Sequence, residues 1–203
     1  MKTIKLTITF LLIFVFSMSY AQITSSAHDF SGETWNTTGE ICIVCHTPHQ
    51  ADITVDDAPI WNHAVTGQTF QVYTSSTFDG TSGQPDGSSK LCLSCHDGIT
   101  AVNNFGGSGA TDQLITGDAN LTTDLRDDHP VSFTYDAALA STDGELKDPS
   151  ENSGMGGTIA SDMLIGGKMQ CASCHDVHNS AGIAGLLRKS NASSELCLTC
   201  HVK

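Results

Sequence analysis

The stretch that decides the fold is "CIVCHTPH", residues 42–49. It places Cys42 and Cys45 three positions apart, follows them at once with His46, and adds His49 three residues later. Two thiols and an imidazole in this order can attach a haem, hold part of a zinc site or form a redox disulfide. The rest of the chain distinguishes between these kinds of site.

Every cysteine of the chain belongs to a copy of the same CxxCH pattern. The four copies, which we number sites 1 to 4, are Cys42-Cys45-His46, Cys92-Cys95-His96, Cys171-Cys174-His175 and Cys197-Cys200-His201. A histidine directly after the second cysteine is the signature of c-type haem attachment, in which both thiols bind the haem covalently and the imidazole binds its iron. We therefore expect four covalently attached haems c, bound by the eight cysteines, with the four motif histidines as proximal ligands.

The two rival interpretations leave part of the pattern unexplained. Zinc ribbons use CxxC pairs, but they do not require a histidine at one fixed offset from every pair. A thioredoxin-type redox pair occurs near a βαβ pattern, and four such pairs without that pattern have no evident use. The sequence favours haem at all four sites.

The N-terminus resembles a secretory signal. Lys2 and Lys5 precede an apolar run over residues 6–16, and small residues end at Ala21, so we expect a signal peptide over 1–21. An uncleaved membrane anchor is the alternative, although the apolar run is short for a span. We expect a secreted protein without membrane insertion.

The expected mature chain is strongly acidic. Of nine Lys and Arg residues, Lys2 and Lys5 leave with the signal peptide, and seven then face 22 acidic residues, a formal charge of −15. Nucleic acid is therefore a poor partner.

Few large apolar side chains are available to build a core. Residues 103–123 and 141–167 are rich in Gly, Ser, Thr, Asp and Asn, and such stretches bury little apolar area to offset their ordering entropy. We expect a mostly irregular multihaem cytochrome c fold with short helices at the CxxCH sites and a core formed by four stacked haems. The few strand signals lie at residues 68–77 and 131–135, and a hairpin is predicted within 163–170.

The chain contains an internal repeat. "SSKLCLSCH" at 88–96 matches "SSELCLTCH" at 193–201, and "CHTPH" at 45–49 matches "CHDVH" at 174–178. Residues 22–203 are predicted to form one tetrahaem domain, with a haem pair at 42–96, a linker at 97–170 and a second pair at 171–201. The serine pairs before sites 2 and 4 are predicted helix N-caps.

The sixth ligand of each iron decides between electron transfer and catalysis, because an open position admits a substrate. Five histidines lie outside the motifs: His28, His49, His63, His129 and His178. Four haems need four distal ligands, and these five histidines nearly match that number, so we expect bis-histidine ligation and no catalytic site. His63 is the weakest candidate. His49 and His178 follow a proximal histidine by three residues, which on a helical turn puts both imidazoles on one face, so each should serve a neighbouring haem.

The order of these motifs resembles the doubled-CXXCH multihaem cytochromes, and most of all their tetrahaem OmcE-type members, which polymerise into extracellular cytochrome nanowires. The resemblance covers nearly the whole mature chain. It implies a continuous row of bis-histidine haems, a homopolymer, and one distal histidine supplied by the adjacent subunit. His28 is the first candidate for that bridge, because a near-terminal segment can cross an interface, and His63 is the second.

Three functions are compatible with this reading. The first is a filament subunit that passes electrons to redox partner proteins without being an enzyme. The second is a monomeric periplasmic tetrahaem shuttle. The third is a multihaem reductase, which requires at least one open haem.

Overall fold

A computed structural model of the chain describes residues 23–202. The predicted signal peptide, residues 1–21, lies outside the described residues. No helix within 23–202 has the length and apolar character needed to cross a membrane.

Regular secondary structure is sparse within the described residues. The helices are α1 Gly87–His96, α2 Ala137–Asp143, α3 Ile159–Asp162, α4 Cys171–Cys174 and α5 Cys197–Cys200, with 3-10 turns at Gly117–Ala119, Ala184–Leu186 and Ala192–Ser194. The strands β1 Phe133–Thr134 and β2 Lys168–Met169 pair antiparallel, with Phe133 opposite Met169 and Thr134 opposite Lys168.

Helices α2 and α3 are bounded by local signals. The Asp136 carboxylate accepts the Leu139 backbone N–H at 2.9 Å, which caps the start of α2, and Gly144 ends it in the left-handed region at φ 73°. Thr158 and Ser161 form a reciprocal capping box around α3. Because both helices are short, these caps fix most of their length.

The apolar core is divided into three small clusters. The largest contains Phe133, Tyr135, Ile159 and Met163, includes Cys200, and packs against Cys174. The other two are Val55-Trp61-Leu91, with Cys45 packed against it, and Phe70-Leu93-Leu125. Attachment cysteines of sites 1, 3 and 4 thus lie against or within these clusters.

Several expectations about local structure can be compared with the fold. The CxxCH segments of sites 2, 3 and 4 lie in α1, α4 and α5, whereas site 1 forms a single turn in which the His46 N–H donates to the Cys42 carbonyl at 2.9 Å. The hairpin within 163–170 is confirmed, with Ile165 and Lys168 exchanging two 3.0 Å hydrogen bonds across Gly166 and Gly167, whose φ values are 58° and 75°.

Two local predictions are wrong. Residues 68–77 form no strand, and Gln71 makes only one bridge to Asp124, because no extended partner segment runs alongside. The serine pairs are not N-caps: Asp86 and Leu196 occupy the positions that precede α1 and α5, and neither makes a side-chain cap. The serine before site 2 makes a different contact, described below.

Candidate haem-binding sites

The proximal histidines at sites 1, 2 and 3 are oriented by main-chain carbonyls. The Nδ1 atoms lie 2.6 Å from the Pro59 oxygen for His46 and 2.7 Å from the Ala119 oxygen for His96. His175 Nδ1 likewise lies 2.9 Å from an oxygen, that of Gly185. A carbonyl can only accept, so each Nδ1 carries the proton and each Nε2 keeps a lone pair for a metal.

The same backbone arrangement positions these carbonyls at all three sites. His46 pairs with Trp61 and His175 pairs with Leu187 in isolated β-bridges, while the His96 carbonyl accepts the Leu121 N–H at 2.8 Å. In each case the carbonyl that binds the ring belongs to the residue two positions before the bridging partner. One short segment of chain therefore holds both the backbone and the ring of each histidine.

Three motif histidines face one of the candidate distal histidines in the same chain. The ring centres lie 6.2 Å apart for His46 and His178, 6.0 Å for His96 and His28, and 6.4 Å for His201 and His129. The planes of these pairs are inclined by 14°, 57° and 77° respectively.

These separations fit an iron held between two imidazoles. Two metal–nitrogen bonds of about 2.0 Å each, with about 1.1 Å from each nitrogen to its ring centre, place the ring centres about 6.2 Å apart. The three pairs are the residues that would hold the irons of the haems at sites 1, 2 and 4, and an iron bound there would supply one-electron redox chemistry.

His28 is suited to remain a neutral ligand. Burial, followed by the nearby imidazoles of His96, His175 and His178, lowers the pKa of His28 to about 4. Its Nδ1 is buried and has no hydrogen-bond partner among residues 23–202. A neutral imidazole is the form that binds a metal.

Both ring nitrogens of His63 lie next to main-chain carbonyls. It is 2% exposed, with Nδ1 2.8 Å from the Ala64 oxygen and Nε2 3.0 Å from the Ala101 oxygen. Its Nε2 also lies 3.5 Å from Cys95 Sγ. Since a neutral imidazole carries one N–H, only one of these two contacts is a hydrogen bond to a carbonyl, and among residues 23–202 the ring packs on Trp61 and faces no motif histidine.

His175, a proximal histidine, and His49, a distal candidate, face no other histidine ring within residues 23–202. Both His175 and His49 are exposed, and no histidine ring pairs with either of them within the described part of the chain. His49 is held only through its backbone, which bonds to the Thr47 hydroxyl. Within residues 23–202, site 3 is thus the one CxxCH site whose motif histidine makes no ring contact with another histidine.

The thiols do not form the alternative kinds of site. All eight cysteines are free, and residues 23–202 contain no group of three or more His, Cys, Asp or Glu side chains arranged to hold a metal ion. Burial raises the pKa of Cys45 to about 11 and that of Cys95 to about 12. Within residues 23–202 the cysteines thus form neither disulfides nor a zinc-type cluster.

Sites 2 and 3 are joined by a buried polar network. The Cys171 N–H donates to the Ser89 hydroxyl at 2.9 Å, and the Ser89 N–H donates to Gln170 Oε1 at 3.3 Å. Gln170 Nε2 donates to Asp86 Oδ1 at 2.8 Å, and Lys168 forms an ion pair with the same carboxylate. Ser89 is fully buried and Gln170 is 3% exposed, so the contact excludes water.

Cysteines of consecutive sites lie close together. The Cys92 and Cys171 thiols hydrogen-bond to each other, which raises the pKa of Cys92 and lowers that of Cys171 to about 7. Burial is the main cause that raises the pKa of Cys95 and of Cys174. The charged form of a nearby cysteine raises each pKa further, Cys45 for Cys95 and Cys197 for Cys174. Packing gives the same order of neighbours: Cys45 lies against the cluster that contains Leu91 of α1, α1 contacts α4, and Cys174 packs against the cluster that contains Cys200.

Several supporting residues were not found from the sequence. Asp97, which follows His96, is 1% exposed and accepts the N–H groups of Ile99 and Thr100 at 2.8 Å each. Asp176 follows His175 and accepts the His178 N–H at 2.9 Å. An acidic residue directly after CxxCH, as in "CHDG" and "CHDV", was the available signal. The main-chain carbonyls that orient the histidine rings could not be found from the sequence, because a residue of any type can supply a carbonyl.

Comparison with known proteins agrees with this chemistry. The model of a family described as "Doubled CXXCH motif" matches residues 165–203, which include sites 3 and 4. No curated protein matches the chain. Together the motifs and the match identify a multihaem c-type cytochrome with covalently bound haem, a protein of electron transfer.

Proposed function

We propose that this cytochrome carries four bis-histidine haems in a row and polymerises into an extracellular filament that conducts electrons. The observation that carries the proposal is the unmatched pair of exposed histidines, His175 and His49. His175 needs a distal ligand, and His49 is the one candidate left once His63 is bound to main-chain carbonyls. A site that one copy leaves incomplete can be completed by another copy.

The internal repeat indicates which copy supplies the ligand. His178 follows the proximal histidine of site 3 by three residues and faces His46 at site 1, so it serves the first haem of the preceding pair. His49 occupies the same position after site 1. Under the same rule it serves site 3 of the preceding subunit.

The two remaining distal histidines follow the repeat as well. His28 lies upstream of the first pair and faces His96, the second site of that pair. His129 lies upstream of the second pair and faces His201, the second site of its own pair. Each haem pair is then linked to the next pair by the same type of histidine. Because the link between chains repeats the link within a chain, the assembly can grow as an open row of subunits and does not form a ring.

The bridging role falls to His49 and not to the two residues that the sequence put first. His28 has a partner ring in its own chain, and His63 is buried between two main-chain carbonyls. The near-terminal position of His28 made it a candidate for crossing an interface. Its segment instead folds back onto site 2.

The chain needs no substrate site for this role. Closed bis-histidine haems pass electrons without binding a reactant, and consecutive attachment cysteines lie close together along the chain of sites. We therefore propose a conduit and not an enzyme, with self-association and redox proteins as its partners.

The replacement His49→Ala tests the proposal. We expect the variant to retain four haems by mass, to lose filaments in electron micrographs, and to bind one carbon monoxide per reduced chain, at site 3. Gln50→Ala changes the adjacent exposed residue and should leave filaments intact. Added imidazole should restore the low-spin spectrum of the variant without restoring filaments.

A mixing experiment gives an independent readout. A His49→Ala subunit can accept a neighbour at site 3 but cannot donate to one, so it should terminate growth at one end. Adding it to unmodified protein should shorten filaments in proportion to its fraction. Filaments that persist in pure His49→Ala would refute the bridge.

Other outcomes would favour the other functions. If native secreted material consists only of monodisperse particles, the monomeric tetrahaem shuttle is favoured instead. If reduced native filaments bind carbon monoxide, at least one haem is open and the reductase is favoured.

A further inference from the structure

We infer that the chain takes up its first electron at site 4, because Lys147 and Lys189 hold positive charge against this site while the buried Asp97 carboxylate holds negative charge against site 2. The inference rests on the four haems of the proposed function and goes beyond the filament, since it applies equally to a single chain. It concerns which site is reduced first and which side chains decide this.

The charge at a haem site changes on reduction. A ferric iron gains one electron from a redox partner and becomes ferrous, which adds one negative charge while no bond forms or breaks. A nearby positive charge therefore raises the reduction potential, and a nearby negative charge lowers it. A unit charge about 12 Å from an iron changes its ferrous-to-ferric ratio by about tenfold, at an effective dielectric constant of about 20.

Sites 2 and 4 form a matched pair for this comparison. Each is the second site of its haem pair, and "SSKLCLSCH" aligns with "SSELCLTCH". The motif histidine of each faces a candidate distal histidine in the same chain, which is His28 at site 2 and His129 at site 4. Because the axial ligands are alike, a difference in potential between these two sites has to come from their surroundings.

Two lysines are fixed against the CxxC turn of site 4. The Lys147 ammonium donates to the Leu198 carbonyl at 2.6 Å, and the Lys147 backbone N–H donates to the Cys200 carbonyl at 2.8 Å. The Lys189 ammonium donates to the Thr199 hydroxyl at 3.3 Å. Both positive charges therefore stay beside the segment that attaches the haem.

The Cys200 thiol of site 4 responds to these two lysines. Burial, followed by the charged form of Cys174, raises the pKa of Cys200 to about 11. Lys147 and Lys189 both act against this rise, because each favours negative charge at the sulfur. They favour in the same way the negative charge that reduction adds to a haem attached there.

The charge beside site 2 is negative. Asp97 directly follows His96, is 1% exposed, and accepts two backbone N–H groups. Burial, then the charged form of Cys45, then Asp97 raise the pKa of the Cys95 thiol. Asp97 therefore opposes added negative charge at site 2.

Sites 1 and 3 hold other residues at the position of Lys147. The Arg188 N–H donates to the Cys174 carbonyl at 2.9 Å, and its guanidinium donates to the Ala172 carbonyl at 3.3 Å. Asp128 lies near the first thiol of site 3 and offsets the Arg188 charge. At site 1 the neutral Asn62 makes the equivalent pair of bonds. The potentials of sites 1 and 3 therefore lie between those of sites 2 and 4.

One exchange of charge within the repeat acts in the opposite direction. Lys90 precedes site 2 at the position that Glu195 holds before site 4. The Glu195 side chain is 56% exposed and lies 3.6 Å from the Lys189 ammonium, while Lys90 acts on the charge of Asp52. Water screens an exposed charge, whereas Asp97 is buried, so the buried carboxylate has the larger effect.

A redox titration followed by electron paramagnetic resonance tests the inference. The imidazole planes are inclined by 14° at site 1, 57° at site 2 and 77° at site 4. The largest g value of a low-spin ferric haem rises as its two imidazole planes approach a right angle. The site 4 signal should therefore have a larger g value than the site 2 signal and should disappear before it on reduction.

Variants that remove a charge give the second measurement. Lys147→Gln keeps a donor for the Leu198 carbonyl and should lower the ferrous-to-ferric ratio of the first-reduced haem by about tenfold at a fixed potential. Lys147→Arg keeps the charge and should leave this ratio unchanged. Asp97→Asn should raise the ratio at site 2, whereas Asp112→Asn, at an exposed position, should change neither haem.

The outcomes separate the inference from the proposed function. Four haems by mass with a site 4 signal that disappears after the site 2 signal would overturn the inference and leave the proposed function standing. A Lys147→Gln titration identical to that of unmodified protein would do the same, and Lys189→Gln provides this measurement if Lys147→Gln loses a haem. Fewer than four haems in unmodified protein would overturn the proposed function itself.

Discussion

Asp97 is the buried charge that fixes the turn after site 2, and replacing it should destabilise the protein markedly. Its carboxylate accepts four hydrogen bonds: from the Ile99 and Thr100 N–H groups at 2.8 Å each, from the Thr66 hydroxyl at 2.7 Å and from the Thr100 hydroxyl at 3.0 Å. At 1% exposure, water cannot replace them.

The size of the loss follows from the number of donors. Each hydrogen bond to a charged group contributes about 1.5–3 kcal/mol, and because four donors share one desolvated carboxylate, we expect Asp97→Ala to lose about 3–5 kcal/mol. Asp97→Asn keeps the oxygen that binds both backbone N–H groups, and the threonine hydroxyls can turn to accept from the amide. We therefore expect it to lose about 1–2 kcal/mol.

Guanidinium unfolding followed by tryptophan fluorescence measures both variants, since attached haem quenches Trp35 and Trp61 until the chain unfolds. Asp112→Ala removes an exposed aspartate and should change the free energy of unfolding by no more than about 0.5 kcal/mol. An Asp97→Ala variant as stable as this control would refute the reasoning.

Three further predictions address other parts of the fold. His63→Gln should leave carbon monoxide binding unchanged, because this ring ligates no iron, while lowering the free energy of unfolding by about 1–3 kcal/mol through its lost carbonyl contacts; a new high-spin haem would contradict this. The pKa of Asp86 is lowered despite burial, since Lys168 and other donors favour its charged form, so its contribution to stability is present above the ordinary pKa of 3.8 and is lost as pH falls below it. Unfolding measured against pH should show a smaller acid loss in Asp86→Asn than in unmodified protein. Gly98→Ala should destabilise the chain by more than about 1 kcal/mol in the same assay, because its φ is +67° and a Cβ there would lie 2.2 Å from the Asn120 side chain.

The attachment chemistry could be predicted from the sequence because covalent haem binding needs particular residues at a fixed spacing. The sparse secondary structure agrees with the composition of residues 103–123, which contain no buried residue, whereas residues 141–167 supply Ile159 and Met163 to the largest core cluster. The hairpin at Ile165–Lys168 followed from its two central glycines, since a two-residue turn with positive φ at both central positions favours glycine there.

The remaining details depend on contacts between distant segments. Ser89 is a residue type that often caps helices, but its hydroxyl instead accepts the N–H of Cys171, 82 residues further along the chain. The strand predicted at 68–77 has suitable residues and lacks a neighbour to pair with. Which distal histidine meets which proximal one likewise depends on how the segments 23–41 and 97–170 fold back, and no local pattern encodes that.

The carbonyls that orient His46, His96 and His175 have a consequence for how such a chain can change over time. A backbone oxygen is present whatever side chain its residue carries, so Pro59, Ala119 and Gly185 do the same work with three unrelated side chains. Substitutions at these positions are constrained by the path of the chain and not by chemistry. Two cytochromes of this construction could therefore hold their irons alike while sharing little more than cysteines and histidines.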